Sequence, residues 1–225
     1  MTYDLIHYFN QKFDKLYRTE SKKTLPFITL SRETGCGANA IALMLQEELT
    51  SREEKWNVIN KEIIDEAASQ LKVDRHRIYD VINARNRTMA DEILNALSTR
   101  YYKNDRILRK SITEIVRHDA QTGNIIIVGR GGVAVTQDLP MGMHIKLMAP
   151  VKWRVENVMK MRGMTENSAM EYIDDIDKKR KQLLKQLSGN KFNNSWFNLV
   201  INCATFTPLQ IVRLISDSMK MRQLL

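Results

Sequence analysis

The sequence predicts a three-layer α/β fold in which a parallel five-stranded sheet is flanked by helices. Short β-type runs alternate with helical segments along most of the 225 residues, the order that parallel strands with helical crossovers require. One run, 124–128, reads Asn-Ile-Ile-Ile-Val, which is typical of a strand buried on both faces. The hydrophobic content of 43% can supply a core for a domain of this size.

The first part of the chain predicts a helical arm followed by the start of the sheet. Apolar residues recur every three to four positions in 1–24, which predicts an extra N-terminal helix outside a main domain at 25–225. A strand is expected over 27–31, a helix over 38–49 and a second short strand over 56–60. A glycine-containing turn joins the first strand to the helix.

The rest of the chain predicts an insertion and then regular alternation. The stretch 61–122 contains no glycine, has a helical pattern and is too long for a simple crossover, so it predicts inserted helices. Pro150 is expected in the first turn of the helix that follows the fourth strand. The remaining elements are a strand over 144–149, a charged helix over 165–188, a strand over 198–203 and a helix from Thr207-Pro208 to about Leu224.

The net charge is compatible with several classes of anionic partner and does not decide among them. Thirty-five Lys and Arg against 26 Asp and Glu give a net charge of +9, which attracts nucleic acid, anionic membranes or phosphorylated small molecules. A solvated helix surface with a basic bias has the same composition. Aromatic residues make up only 7% and no basic stretch has interleaved aromatics, which weighs against nucleic acid.

Neither the hydrophobic runs nor the cysteines indicate export or metal binding. No run approaches the length of a membrane helix, and the N-terminal residues lack a signal-peptide pattern, so we expect a cytoplasmic protein without a membrane partner. Cys36 and Cys203 are far apart in sequence and have no Cys or His neighbour at metal-ligand spacing. We expect two reduced thiols and no metal bound by the chain itself.

The turn after the first strand is the sharpest candidate site. It reads Arg32-Glu-Thr-Gly-Cys-Gly37 and precedes a helix, so it aims backbone N–H groups at an anion. A tight turn that needs glycine for its backbone angles has the same sequence. The P-loop pattern Gly-x-x-x-x-Gly-Lys-Ser/Thr, laid over 32–39, keeps only Gly37 of its signature positions. The expected phosphate ligands are Thr34, Gly35, Cys36, Gly37, Ala38 and Asn39.

Six short segments occur in the order of the motifs of one known family. They are Thr29–Gly37, Asn60–Ile64, Ile127–Gly131, Met148–Pro150 with Arg154, Asp177–Arg180 and Asn198–Asn202. Across roughly residues 26–216 they resemble the cytidylate-kinase-like family of P-loop nucleoside monophosphate kinases. The similar family motifs are a Ser-Arg-Glu-x-Gly-Ser-Gly loop, an Asp-Lys-Glu-Leu-Ile segment, a Gly-Arg strand end, an Ala-Pro-x-x-x-Arg helix start, an Asp-Lys-x-Arg lid and an Asp-Leu-Val-Ile-Asn strand.

The resemblance implies phosphoryl transfer from ATP, with Mg²⁺, to a nucleoside monophosphate. This chemistry needs cationic side chains and N–H donors around the transferred group. The implied catalytic residues are Arg32, Arg130, Lys178 and Arg180, and the implied substrate-binding residues are Lys61, Arg130 and Arg154. Arg130 follows a central strand, where open α/β sheets bind ligands.

The lid implied for about 163–190 carries Lys178 and Arg180, which would close over the phosphates. Exposed arginines and helix surfaces of mixed charge are equally compatible with these residues.

The chain departs from the kinase patterns at several positions, among them Asn60, where the family usually has an acidic residue. Ala38 and Asn39 stand where an ordinary P-loop has Lys and Ser or Thr, and Gly131 stands where cytidylate kinases proper have Asp. Two alternatives therefore remain beside a kinase: a nucleotide-binding sensor or partner with impaired catalysis, and a basic nucleic-acid-binding protein. Nucleotides are the expected partners, and the N-terminal arm is compatible with a homo-oligomer.

Overall fold

The computed structural model describes residues 24–51, 54–59, 113, 116–189 and 191–225. The predicted N-terminal arm, apart from residue 24, lies outside these ranges. Most of the predicted insertion at 61–122 lies outside them as well, although 116–122 is helical.

Five parallel strands form one sheet in the described chain. They are β1 Phe27–Arg32, β2 Asn57–Ile59, β3 Ile125–Val128, β4 Gly142–Met148 and β5 Leu199–Asn202. Their order is β2-β3-β1-β4-β5, and every neighbouring pair is parallel. The predicted five-stranded parallel sheet is therefore confirmed, with strand ends within two residues of the predicted ones. All four residues of β3 are buried, as its uninterrupted apolar sequence predicts.

Helices connect the strands. They are α1 Ala38–Leu49, α2 Gly132–Thr136, α3 Val151–Arg162, α4 Glu166–Ser188 and α5 Pro208–Met221, with a 3₁₀ turn at Asn194–Trp196. The sequence predicts the start of α5 well because Thr207 and Gln210 form a capping box ahead of Pro208. Pro150 was misplaced by one position: it is the N-cap of α3, with an extended ψ of 141°, and not part of its first turn. In the described ranges, no helix combines the length and apolar composition needed to cross a membrane.

Alternate side chains of the strands pack on opposite faces of the sheet. Ile28 and Leu30 of β1 belong to a buried cluster that includes apolar residues of α1 and α5. Phe27 of the same strand belongs to a second cluster on the other face, with Val116 and Val135. These two clusters place helices on both faces of the sheet, which gives three layers.

Helices α3 and α4 have an apolar cluster of their own. It contains Val155, Val158, Ala169 and Ile173, all buried. This packing orients α4 so that its central residues Asp177 and Arg180 reach the carboxyl end of β1 and the loop that follows it.

Candidate phosphate-binding site

The loop between β1 and α1 leaves the first turn of the helix open. Gly37 is the N-cap of α1 in a left-handed conformation, with φ of 65°, and no side chain caps the helix. The first N–H groups of a helix have no partner within it, so they are available to an anion. A methyl group added at Gly37 would meet no atom within 4 Å. Packing therefore leaves space beside this end of the helix.

Gly35 has a different role in the same loop. Its φ is 95°, and a Cβ at this position would lie 2.8 Å from the carbonyl oxygen of Arg154 in α3. The Asn157 side-chain amide also donates a hydrogen bond to the Gly35 carbonyl oxygen, at 3.3 Å. Gly35 thus allows the loop to lie directly against α3, while Gly37 borders open space.

Arg154 of α3 is a buried residue that contacts the loop. Its side chain is only 8% exposed, and it forms ion pairs with Asp177 at 2.8 Å and Glu33 at 3.3 Å. Its guanidinium also donates to the carbonyl oxygens of Ala149, at 3.0 Å, and Thr34, at 3.2 Å. A buried guanidinium with this set of partners positions the backbone of the loop. The substrate contact predicted for Arg154 stays a prediction.

Asp177 joins α4 to the loop. One carboxylate oxygen accepts hydrogen bonds from the Thr34 backbone N–H at 2.9 Å and from the Thr34 hydroxyl at 2.7 Å. Arg180, one turn further along α4, donates to the same hydroxyl at 2.9 Å and to the Arg32 carbonyl oxygen at 3.4 Å. The helix predicted as a lid therefore lies on the loop through these two side chains.

Sequence reasoning did not single out Asp177 as a site residue. The helix also carries Asp174 and Asp175, and three acidic residues on one charged helix are alike in the sequence. The spacing of Asp177 and Arg180 could have identified Asp177 from the sequence. Residues three positions apart lie on the same helix face, so Asp177 shares the face of the predicted site residue Arg180.

Lys178 lies on a different face of α4. Its side chain is 73% exposed and forms an ion pair with Asp174 at 2.5 Å, which raises the pKa of the lysine. Lys179 makes the equivalent pair with Asp175 at 2.6 Å. The structure thus brings Arg180 to the loop but not Lys178, whose contact is that of a helix surface of mixed charge.

Arg32 and Arg130 lie at the carboxyl ends of the neighbouring strands β1 and β3. The Arg32 guanidinium passes so close to the backbone of Gly129 that a Cβ there would overlap it. The Gly129 N–H donates to the Leu30 carbonyl oxygen at 2.9 Å, and Arg130 follows with φ of 55°. Arg180, the third predicted catalytic arginine, contacts the loop directly through its guanidinium. Lys61 lies outside the described residues.

Gly131 makes room for the far end of α4. A Cβ at this position would overlap Leu187, and the backbone has φ of 67°. Any side chain at this position would require the terminal methyl group of Leu187 to move.

The fold and the loop define a nucleotide-kinase-like α/β protein. The sequence profile of the cytidylate kinase-like family matches residues 27–205, and the chain belongs to this family. The resemblance noted from the sequence is thereby confirmed.

Two solved structures and one further protein are similar to this chain over part or most of its length. An uncharacterized protein from Eubacterium ventriosum has the same fold, with a TM-score of 0.57 and 19% identity over 87% of this chain and 99% of its own. Shikimate kinase from Bacteroides thetaiotaomicron has a TM-score of 0.47 and 12% identity, over 88% and 98%. Uronate isomerase from Corynebacterium glutamicum is 31% identical over 116 residues, which are 51% of this chain and 22% of the isomerase. The matched half of this chain thus spans about a fifth of that protein.

Proposed function

We propose that this protein transfers a phosphoryl group from ATP to a nucleoside monophosphate. The observation that carries the proposal is the contact of Arg180 with the loop that precedes an uncapped helix N-terminus, in a member of the cytidylate kinase-like family. Arg32 and Arg130 lie at the carboxyl ends of the neighbouring strands β1 and β3. Phosphoryl transfer requires positioning and neutralisation of charge more than covalent chemistry by the protein. A site made of N–H donors and guanidinium groups meets that requirement.

The loop at 32–39 is the proposed ATP site. The space beside Gly37 and the N–H groups of the first turn of α1 would receive a phosphate. Ala38, where other P-loops have a lysine, is buried and neutral, so Arg32 and Arg180 would supply the positive charge instead. Arg180 already contacts the loop.

Magnesium fits this site only as a partner of the phosphates. In the described part of the chain, no group of three or more His, Cys, Asp or Glu could hold a metal ion. Mg²⁺ usually takes most of its ligands from substrate phosphates and water, and its chemistry is to neutralise the charge of the transferred group. Asn39, which stands where an ordinary P-loop has Ser or Thr, would offer an amide oxygen.

Arg130 is the proposed ligand of the acceptor phosphate. It lies at the end of a central strand beside Arg32 and can present a planar pair of donors to phosphate oxygens. The identity of the acceptor base stays open, because Gly131 stands where cytidylate kinases proper have an aspartate. A panel of acceptors is therefore needed, and Lys61 and Lys178 stay as candidate ligands.

One observation favours the rival proposal of a nucleotide-binding protein with impaired catalysis. The anion bound to the Thr34 N–H is the Asp177 carboxylate, and the loop has no lysine. ATP would then bind beside α4, which already contacts the loop through Asp177. The loop would lack a lysine to neutralise the charge of the transferred phosphoryl group.

Turnover with ATP, Mg²⁺ and a panel of ribo- and deoxynucleoside monophosphates tests the proposal, with nucleoside diphosphate as the product measured. Arg130→Ala should weaken acceptor binding about 10- to 100-fold, the loss of one charge-assisted hydrogen-bonded contact, while ATP affinity persists. Arg213→Ala, which removes the same charge from the exposed face of α5, should leave both unchanged. ATP binding without turnover of any acceptor would favour the sensor, and no ATP binding would refute both proposals.

A further inference from the structure

Asp177 is the least exposed acidic residue of α4. Its side chain is 15% exposed, whereas the side chains of Asp174 and Asp175 in the same helix are 63% and 56% exposed. Those two carboxylates pair with lysines on the helix surface. Burial of a charged group is costly unless ion pairs and hydrogen bonds compensate it, so the partners of Asp177 indicate what this residue does.

The two oxygens of the Asp177 carboxylate contact two different elements. Oδ2 lies 2.8 Å from the Arg154 guanidinium of α3. Oδ1 accepts hydrogen bonds from the Thr34 backbone N–H at 2.9 Å and from the Thr34 hydroxyl at 2.7 Å. Because both oxygens are engaged, the carboxylate has a fixed orientation relative to the loop. The loop, α3 and α4 therefore meet at one side chain.

The Thr34 hydroxyl connects Asp177 to Arg180. It donates its single hydrogen to Asp177 and accepts a hydrogen bond from the Arg180 guanidinium at 2.9 Å. The same guanidinium lies 3.4 Å from the Asp177 carboxylate. A hydroxyl has one donor and two acceptor positions, so donation to Asp177 turns its lone pairs toward Arg180. The position of Arg180 on the loop thus depends on Asp177, both directly and through Thr34.

We propose that Asp177 is a positioning residue for phosphoryl transfer, because it holds Arg180 at the phosphate loop. The proposal rests on the proposed function, in which Arg180 neutralises charge on the transferred group. A guanidinium that the protein holds in place stabilises the transition state without having to reorganise during the reaction. Asp177 acts through Arg180 and Thr34, without a contact of its own to ATP.

This role predicts a loss of turnover without a loss of ATP binding. In the absence of the Asp177 carboxylate, Arg180 is still attracted to a bound triphosphate, and one negative charge near the phosphates is removed. The ATP affinity should therefore stay the same or increase. A small displacement of the guanidinium is costly for the transfer step, so kcat should fall about 10- to 100-fold. A residue that only supported the fold of the loop would lower the ATP affinity as well.

Steady-state turnover and ATP calorimetry test the proposal, at a temperature where the variants are folded. Asp177→Asn and Thr34→Val should both lower kcat, with the ATP affinity unchanged or higher. Thr34→Ser keeps the hydroxyl and should recover most of the kcat that Thr34→Val loses. The control Asp174→Asn removes an exposed carboxylate from the same helix and should change neither quantity.

Three results would overturn the proposal. They are an unchanged kcat in Asp177→Asn, a parallel fall of kcat and ATP affinity, and an equal kcat in Thr34→Val and Thr34→Ser. If Asp177→Asn does not fold, the comparison of the two Thr34 variants decides.

Hydrogen exchange of the backbone amides at 32–36 tests the attachment of α4 to the loop independently of turnover. Exchange should be at least about tenfold faster in Asp177→Asn than in the wild-type protein, and unchanged in Asp174→Asn. Wild-type turnover that persists in both Asp177→Asn and Thr34→Val would overturn the positioning role and leave the proposed function standing. A wild-type protein that transfers phosphate to no acceptor would refute the proposed function, and the catalytic role of Asp177 with it, while faster exchange would still show the attachment.

Discussion

Two single-methyl substitutions in one loop should separate support of the fold from binding of the ligand. Gly35 and Gly37 both have positive φ, at 95° and 65°, so alanine is strained at either position. They differ in what the new methyl would meet. At Gly35 it would lie 2.8 Å from a backbone oxygen of Arg154, whereas at Gly37 it would meet nothing within 4 Å.

The expected losses of stability follow from these contacts. Left-handed alanine costs about 1–2 kcal/mol, partly offset by about 0.4–1 kcal/mol from the stiffer unfolded chain. Gly37→Ala should therefore destabilise the fold by about 1 kcal/mol. Gly35→Ala adds an overpacking cost of about 1–3 kcal/mol because the atom in the way is backbone and cannot rotate aside. Its total loss should be about 2–4 kcal/mol.

Nucleotide binding should show the opposite order. The methyl of Gly37→Ala would project into the space proposed for a phosphate, so ATP affinity should fall at least about tenfold in a protein that stays folded. A larger residue at this position should abolish binding.

Urea unfolding would give the two stabilities, and calorimetry with ATP would give the affinities at a temperature where both variants are folded. Equal destabilisation by the two alanines would refute the packing argument. Unchanged ATP affinity in Gly37→Ala and in Arg32→Ala would refute the assignment of the phosphate loop.

Three further predictions test the attachment of α4, a buried titration and the N-terminal arm. Asp177→Asn should lower the free energy of unfolding by about 2–3 kcal/mol, since it removes the shorter of the two ion pairs of the buried Arg154 and leaves the pair with Glu33. Asp174→Asn should cause no measurable loss, and equal urea midpoints for the two variants would contradict this. Burial, and less strongly Arg222, lower the pKa of His144 from 6.5 to about 4, so the unfolded state binds more protons between these values. Stability should therefore fall by up to about 3 kcal/mol as the pH drops through this window, and His144→Gln should remove that dependence. Deleting residues 1–24 should alter stability or oligomeric mass, by light scattering, while ATP affinity persists; loss of binding in a folded truncation would contradict the separate arm.

Local patterns in the sequence are sufficient for the sheet and the position of the loop. The run Ile125–Val128 is apolar at every position and is buried at every position, and the helix predicted over 38–49 has those bounds in the structure. Strand period, helix period and caps depend on residues within a few positions of one another, so the sequence displays them directly. The short helix α2 was not predicted, because five residues hold too little periodicity to recognise.

The roles of individual charged residues depended on contacts between distant parts of the chain. Arg154 and Arg162 lie on the same helix and look alike in sequence, yet Arg154 is buried under the loop and Arg162 is exposed over the ring of Tyr172. Helix direction and packing on α3 decide that Asp177 contacts Thr34 while Asp174 faces Lys178.

The same reason explains why the residues after β1 and the residues after β5 attach to neighbouring residues of β4. β5 lies two strands from β1, with β4 between them, and this order brings the end of β5 beside the phosphate loop. The sequence by itself determined the helices and strands, the family resemblance and the position of the loop, because each of these depends on residues close together in the chain. Only the tertiary structure decided which side chains of those segments meet, because burial and hydrogen bonding depend on neighbours that lie more than a hundred positions away.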